Sequence, residues 1–138
     1  MIKAEGIHKT FEDFTALDNI TCNISDGCIY GMVGSNGAGK STFLRVLSGI
    51  YKPDKGCAYI DDEPIYENPK VKENIVFVSD ELFFLPGATM SKMADFYSSI
   101  YDRFNYDRFL KLAELFELNI KKPIANFSKG MKRQASII

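Results

Sequence analysis

One run of residues restricts this chain more than any other: Gly34-Ser35-Asn36-Gly37-Ala38-Gly39-Lys40-Ser41, followed by Thr42. Its spacing, G-x-x-x-x-G-K-S, requires a strand before it and a helix after it. Upstream, Cys28 to Val33 is short, mostly apolar and of strand character. Downstream, Thr42-Phe43-Leu44-Arg45-Val46-Leu47 has helical spacing and stops near Gly49. A strand feeding a glycine loop that opens a helix aims backbone N–H groups and the helix's positive end at one point. The loop glycines let the backbone curl without Cβ clashes. Lys40 is then placed to reach β- and γ-phosphates, and the Ser41 hydroxyl to ligate Mg²⁺. The expectation is a site for a nucleoside triphosphate.

Composition narrows the class. The 138 residues suffice for one domain with a core, and 46% hydrophobic with 25% charged residues is ordinary for a globular chain. A formal charge of −1 leaves no excess of Lys and Arg to displace counterions, so no nucleic-acid partner is expected. Met1 to Glu5 lacks the basic start and apolar run of a signal peptide, and no uncharged stretch approaches a membrane span. Cys22, Cys28 and Cys57 show no C-x-x-C spacing and read as buried, reduced thiols of a cytosolic protein.

Along the chain, Ile2 to Ile7 alternates imperfectly and reads as an edge strand. Asp18 to Ile24 alternates better, with Ile20, Cys22 and Ile24 on one face. Ser25-Asp26-Gly27 then reads as a hairpin turn into the strand before the loop. Phe11 lies between the first two strands, where an exposed aromatic can stack on a base or serve as a core residue. His8 reads as a surface residue of the first strand. Pro53 to Gly56 is a turn before a strand at Cys57 to Ile60, and Asp61-Asp62-Glu63-Pro64 is another, read as solvated. Ile75 to Val78 fits a buried strand. From Thr89 the period changes: Met90, Met93, Ala94, Tyr97, Ile100, Tyr101 and Phe104 predict one amphipathic helix. Asn105 is placed to cap a second, with Phe109, Leu110, Ala113 and Phe116 on a face, and Ser128 to cap a third that runs to the chain's last residue.

Taken together, these segments resemble an ABC-type ATPase domain, the motor subunit of ATP-driven transporters. Phe11 matches the adenine-stacking aromatic, and Gly34 to Thr42 (GSNGAGKST) resembles the phosphate loop almost letter for letter. Ile75 to Glu81 with Pro86 and Thr89 resembles the Q-loop region, and Phe127 to Gln134 the signature segment. The resemblance implies an α/β P-loop NTPase fold. An antiparallel β-subdomain and RecA-like core part would occupy residues 1–87, a helical subdomain 88–127 and the signature helix 128–138. It implies ATP held by Phe11, Gly34, Ser35, Asn36, Gly37, Ala38, Gly39, Lys40, Ser41 and Thr42, with Mg²⁺ at Ser41 and Asp80. Ser128, Lys129, Gly130 and Met131 would face the nucleotide of a second ABC ATPase subunit, identical or not. A transmembrane permease would be the other partner, with the protein cytoplasmic and peripheral on the membrane's inner face.

Two residues depart from the pattern. Asp80 stands where the family usually has Gln, which shortens the side chain and adds charge, and Lys129 replaces the signature's first glycine. The strand ending in Asp-Glu that holds Mg²⁺ and polarises the attacking water is missing after Gln134, as is a switch histidine. The resemblance thus implies the N-terminal part of an ATPase subunit, incapable of hydrolysis by itself. Three other readings compete. One is a non-catalytic ABC module that pairs with a complete domain, and another a soluble ABC ATPase acting on ribosomes or DNA. The third is a compact P-loop kinase- or GTPase-like protein using Asp80 for Mg²⁺ and Glu81 as base.

Overall fold

The imperfect alternation of the first strand has a structural cause. In a computed structural model describing residues 1–138, β1 (Ile2–Phe11) buries both Ala4 and Ile7 completely. Residues three apart face opposite sides of a regular strand. The register slips between Ala4 and Ile7, at Gly6 with φ +57°, and the extra residue turns both side chains inward. β3 (Lys55–Ile60) crosses at this point through Gly56, where a Cβ would lie 2.3 Å from the carbonyl oxygens of Glu5 and Gly6. Only glycine permits that approach.

Contacts divide the chain into two units, Met1–Phe77 and Val78–Ile138. In the first, β2 (Phe14–Ile24), β1, β3 and β4 (Glu63–Pro64) form an antiparallel sheet in the order β2-β1-β3-β4. β1 is therefore an inner strand, correcting the edge placement, and Phe11 is its last residue, paired with Phe14 across a two-residue turn. α1 (Lys40–Leu47) presents Phe43, Val46 and Leu47 to a core shared with Ala4, Ile7, Leu17, Ala58, Ile65 and Val71. These helix positions, three and four apart, make the apolar stripe that spacing predicted. Val71 comes from the short α2 (Pro69–Lys72), capped by Asn68.

Two expected strands do not form. Cys28 to Val33 and Ile75 to Val78 pair with nothing, so the turn at Ser25 to Gly27 opens no hairpin. Ile29, Val33 and Val76 are 102%, 99% and 88% exposed. A strand exists only where a neighbour takes up its N–H and C=O groups, and no segment here runs beside either run. The thiols differ from expectation too: Cys28 is exposed, and Cys22 and Cys57 are half-buried on strands flanking β1.

The second unit is helical: α3 (Met90–Ser98), α4 (Tyr106–Leu115), a 3₁₀ turn at Ile124–Asn126 and α5 (Lys129–Ala135). Met90, Met93, Ala94, Phe109, Ala113, Leu118, Ile124 and Phe127 close its core, with Met131, Ala135 and Ile138 packed against it. Side chains open every helix here: Thr89, Asn105 and Ser128 accept from the N–H of Lys92, Arg108 and Met131. α3 stops at Ser98, short of the predicted Phe104. The hydroxyls of Ser98 and Ser99 turn back onto the carbonyls of Asp95 and Phe96, and Asn105 must be extended to cap α4. Ile100 and Tyr101 are accordingly more than half exposed. α5 likewise does not run to the end of the chain; Ser136 closes it. No helix is long and apolar enough to cross a membrane.

Candidate functional site

The glycine loop curls as its sequence requires. Gly37 and Gly39 both have φ +83°, and Ala38 N–H donates to the Ser35 carbonyl at 3.2 Å. Gly39 opens α1 without a side-chain cap, whereas α2 to α5 are each capped by Asn, Thr or Ser. The first turn of α1 also carries no acidic residue. The helix's positive end thus carries no capping side chain and no carboxylate of its own.

Lys40 folds back over the loop, its ammonium donating to the carbonyls of Gly34 at 2.7 Å and Ser35 at 2.6 Å. Two of its three protons are used, leaving one for another acceptor. A Cβ at Gly34 would meet Ala38 Cβ tightly at 3.3 Å and make only ordinary contact with Lys40, at 3.8 Å from Cδ. Ser35, Asn36, Gly37, Ala38 and Ser41 are exposed, and Thr42 is half-buried. Positive charge, oriented amides and an outward hydroxyl at Ser41 suit an anion carrying a hard cation.

The loop abuts the β1–β2 hairpin. A Cβ on Gly39 would lie 2.2 Å from the Ala16 carbonyl oxygen and 3.0 Å from Leu17 Cδ2, so only glycine lets β2 pass there. Phe11 lies at the tip of this hairpin, 39% exposed. Its ring meets Tyr51 edge to face at 5.4 Å between centroids, and Lys9 Nζ stands 5.5 Å from its centroid. The phosphate-loop residues and the predicted stacking aromatic therefore share one unit and one hairpin contact.

The remaining predicted residues lie in the second unit. Asp80 is held by Arg133: its carboxylate accepts from Nη2 at 2.9 Å, while Nη1 donates to the Ser79 carbonyl at 3.1 Å. Neither Asp80 nor Glu81 ends a strand, as the kinase-like reading required. Ser128 Oγ accepts the Met131 N–H at 3.2 Å and keeps its own proton. Lys129 and Gly130 are exposed, and Met131 packs against the helical core. In the first unit, His8 of β1 is half-buried rather than on the surface, its Nδ1 3.1 Å from an Asp18 oxygen.

Sequence reasoning missed Tyr51, Asp54 and Arg133. Asp54 accepts from Lys9 Nζ and Thr10 N–H, each at 2.7 Å, and its own N–H reaches the His8 carbonyl at 2.8 Å. The Lys9 hydrogen bond, then that from Thr10, holds the Asp54 carboxyl below the usual carboxylate range. Only the turn at Pro53 to Gly56 was visible beforehand.

Comparison with known proteins fits this geometry. The family profile described as ABC transporter matches residues 17–138. YtrB, an ABC transporter ATP-binding protein of Bacillus subtilis, is 30% identical over all 138 residues, which cover 47% of YtrB. Arabinose import ATP-binding protein AraG 1 of Burkholderia ambifaria is 33% identical over 94 residues, 66% of this chain and 19% of AraG 1. The chain thus spans half or less of these relatives. The ATP-binding cassette MJ0796, solved as a dimer bound to ADP and Pi, shares the fold: TM-score 0.82 at 23% identity, over 99% of this chain and 67% of that one.

Proposed function

The chain belongs to the ABC transporter family, and we propose that it is part of the ATP-binding subunit of a transporter. That subunit would couple ATP binding and hydrolysis to transport across a membrane. One observation carries the reading: the start of α1 is uncapped and free of acidic side chains, and beside it Lys40 is pinned by two loop carbonyls with a proton to spare. Residues 34 to 42 then cradle the phosphates, and Phe11 meets the base. Bound Mg²⁺ would offset phosphate charge. Ser41 is exposed and offers it a hydroxyl, while Asp80 has one oxygen engaged by Arg133 and the other left for a cation. The relatives' roles as ATP-binding proteins of transporters support this assignment.

The wider reading follows. Ser128 to Met131 address the nucleotide of a second ABC subunit, to which the Ser128 hydroxyl still has a proton to donate. Residues 88–127 form the helical subdomain that meets a transmembrane permease at the cytoplasmic face of the membrane, and residues 1–87 the nucleotide core. The water-activating glutamate and switch histidine of this reading are not among residues 1–138.

Calorimetric titration with Mg·ATP tests the site. Lys40→Ala removes a charge-assisted donor worth about 1.5–3 kcal/mol, so affinity falls roughly ten- to a hundredfold. Unchanged affinity in a folded variant overturns the assignment.

A further inference from the structure

We propose that the segment Tyr51 to Asp54 is a brace that presents the Phe11 ring to a nucleobase, with Tyr51 and Asp54 as positioning residues. The proposal rests on the nucleotide reading above and adds to it the device that fixes the base-stacking surface.

Phe11 sits at a hairpin tip and is 39% exposed, yet three contacts restrain it. Tyr51 meets it edge to face, with centroids 5.4 Å apart and the ring planes at 66°. Lys9 covers one face, its ammonium 5.5 Å from the centroid. The Thr10 N–H, immediately before Phe11, is tied to Asp54 at 2.7 Å. Asp54 binds Lys9 as well, so one carboxylate fixes both the backbone before the ring and the cation over it.

The other end of the brace is anchored to the phosphate side. The N–H groups of Ile50 and Tyr51 donate to the Arg45 carbonyl at 2.9 and 3.1 Å, and the Arg45 guanidinium lies 5.8 Å from the Tyr51 ring centre. Arg45 belongs to α1, the helix that the glycine loop opens. A continuous set of contacts therefore runs from α1 through Arg45, Tyr51 and Phe11 to Lys9 and Asp54. Lys9 stands over the Phe11 ring, and the residue's 39% exposure leaves surface for a base. Stacking on a ring already immobilised avoids the ordering cost that a mobile hairpin tip incurs. Every base has a π-face, so such a platform serves nucleobases as a class.

The test uses the full chain and two probes, Mg·ATP and Mg·inorganic triphosphate, which offers phosphates without a base. Tyr51→Ala and Asp54→Ala are each expected to weaken ATP binding roughly two- to tenfold. Triphosphate binding should stay within about twofold. Tyr51→Phe, which keeps the ring, should retain wild-type ATP affinity. Phe11→Ala should lose roughly fivefold or more for ATP alone, and adding Tyr51→Ala to it should cost nothing further. Equal weakening of both probes by Tyr51→Ala makes Tyr51 merely structural and overturns the proposal, as does unchanged ATP affinity. A wild-type chain that binds neither probe overturns the nucleotide reading itself; triphosphate binding abolished by Lys40→Ala secures that reading separately.

Discussion

Gly37 and Gly39 share a φ of +83° and differ in what surrounds them. An alanine Cβ at position 37 would meet nothing within 4 Å; at position 39 it would lie 2.2 Å from the Ala16 carbonyl oxygen. The left-handed conformation costs an L-residue about 1–2 kcal/mol, and this applies equally to both. Position 39 adds a collision with backbone, which cannot rotate away. Carbon and oxygen approach to about 3.3 Å, so the loop and hairpin would have to part by about 1 Å. Overpacking of this kind costs a further 1–3 kcal/mol or so. Gly39→Ala should therefore destabilise the first unit by about 2–5 kcal/mol, and Gly37→Ala by only about 1–2. With a urea dependence of about 1–3 kcal/mol per molar, the two midpoints should differ by roughly 1 M, read by far-ultraviolet circular dichroism. Equal midpoints would refute the argument that β2 passes too close to the loop for any side chain. Because that hairpin bears Phe11, the same substitution should also weaken ATP binding beyond what Gly37→Ala causes.

Asp54 gives a pH signature. Its carboxyl is held below the ordinary 3.8 by Lys9 and then Thr10, so its contribution to stability is full above that value. It is lost as pH falls through the lower folded value, and Asp54→Asn should flatten the dependence of urea midpoint on pH below about 4. Wild-type and variant curves that stay parallel there would remove the Asp54 latch. In the second unit, Arg133→Lys keeps the charge but cannot fork between the Ser79 carbonyl and the Asp80 carboxylate. Amide exchange should speed up over residues 79–82 with global stability changed by less than about 1 kcal/mol, since the pair is exposed. Unaltered exchange would show that the guanidinium holds nothing.

What the sequence disclosed was local. Asn105 and Ser128 were legible as helix starts because each caps an amide three residues ahead, a bond that needs no distant partner. The loop from Gly34 to Ser41 and the stripe Phe43, Val46, Leu47 are likewise set within a few turns of chain. Pairing is not local. Cys28 to Val33 has the composition of a strand and lacks a neighbour, and β1 looked like an edge because its bulge at Gly6 breaks the alternation. α3 was overread for a different reason: Tyr101 and Phe104 continue the helical spacing, and the serines that end the helix carry no periodic signal. The residues overlooked at the site, Asp54 and Arg133, act across 45 and 53 positions of sequence.

The departures at Asp80 and Lys129 also look different once their partners are known. A carboxylate in place of an amide adds a negative charge that the sequence left uncompensated; Arg133 meets it at 2.9 Å. Any cation drawn to Asp80 must compete with a guanidinium that already makes a charge-assisted bond. Lys129 has no such partner and stands exposed beside Ser128, whose oxygen is spent on the Met131 amide while its proton is not. The two units thus differ in readiness. In the first, the anion-facing groups are assembled around Lys40; in the second, the carboxylate is engaged and the donors stand exposed. Phosphate affinity should therefore follow Lys40 and be nearly indifferent to Asp80→Asn. If Asp80→Asn instead strengthened Mg·ATP binding by tenfold, charge at that position would have to reach the nucleotide, and the pairing with Arg133 would be too weak to screen it.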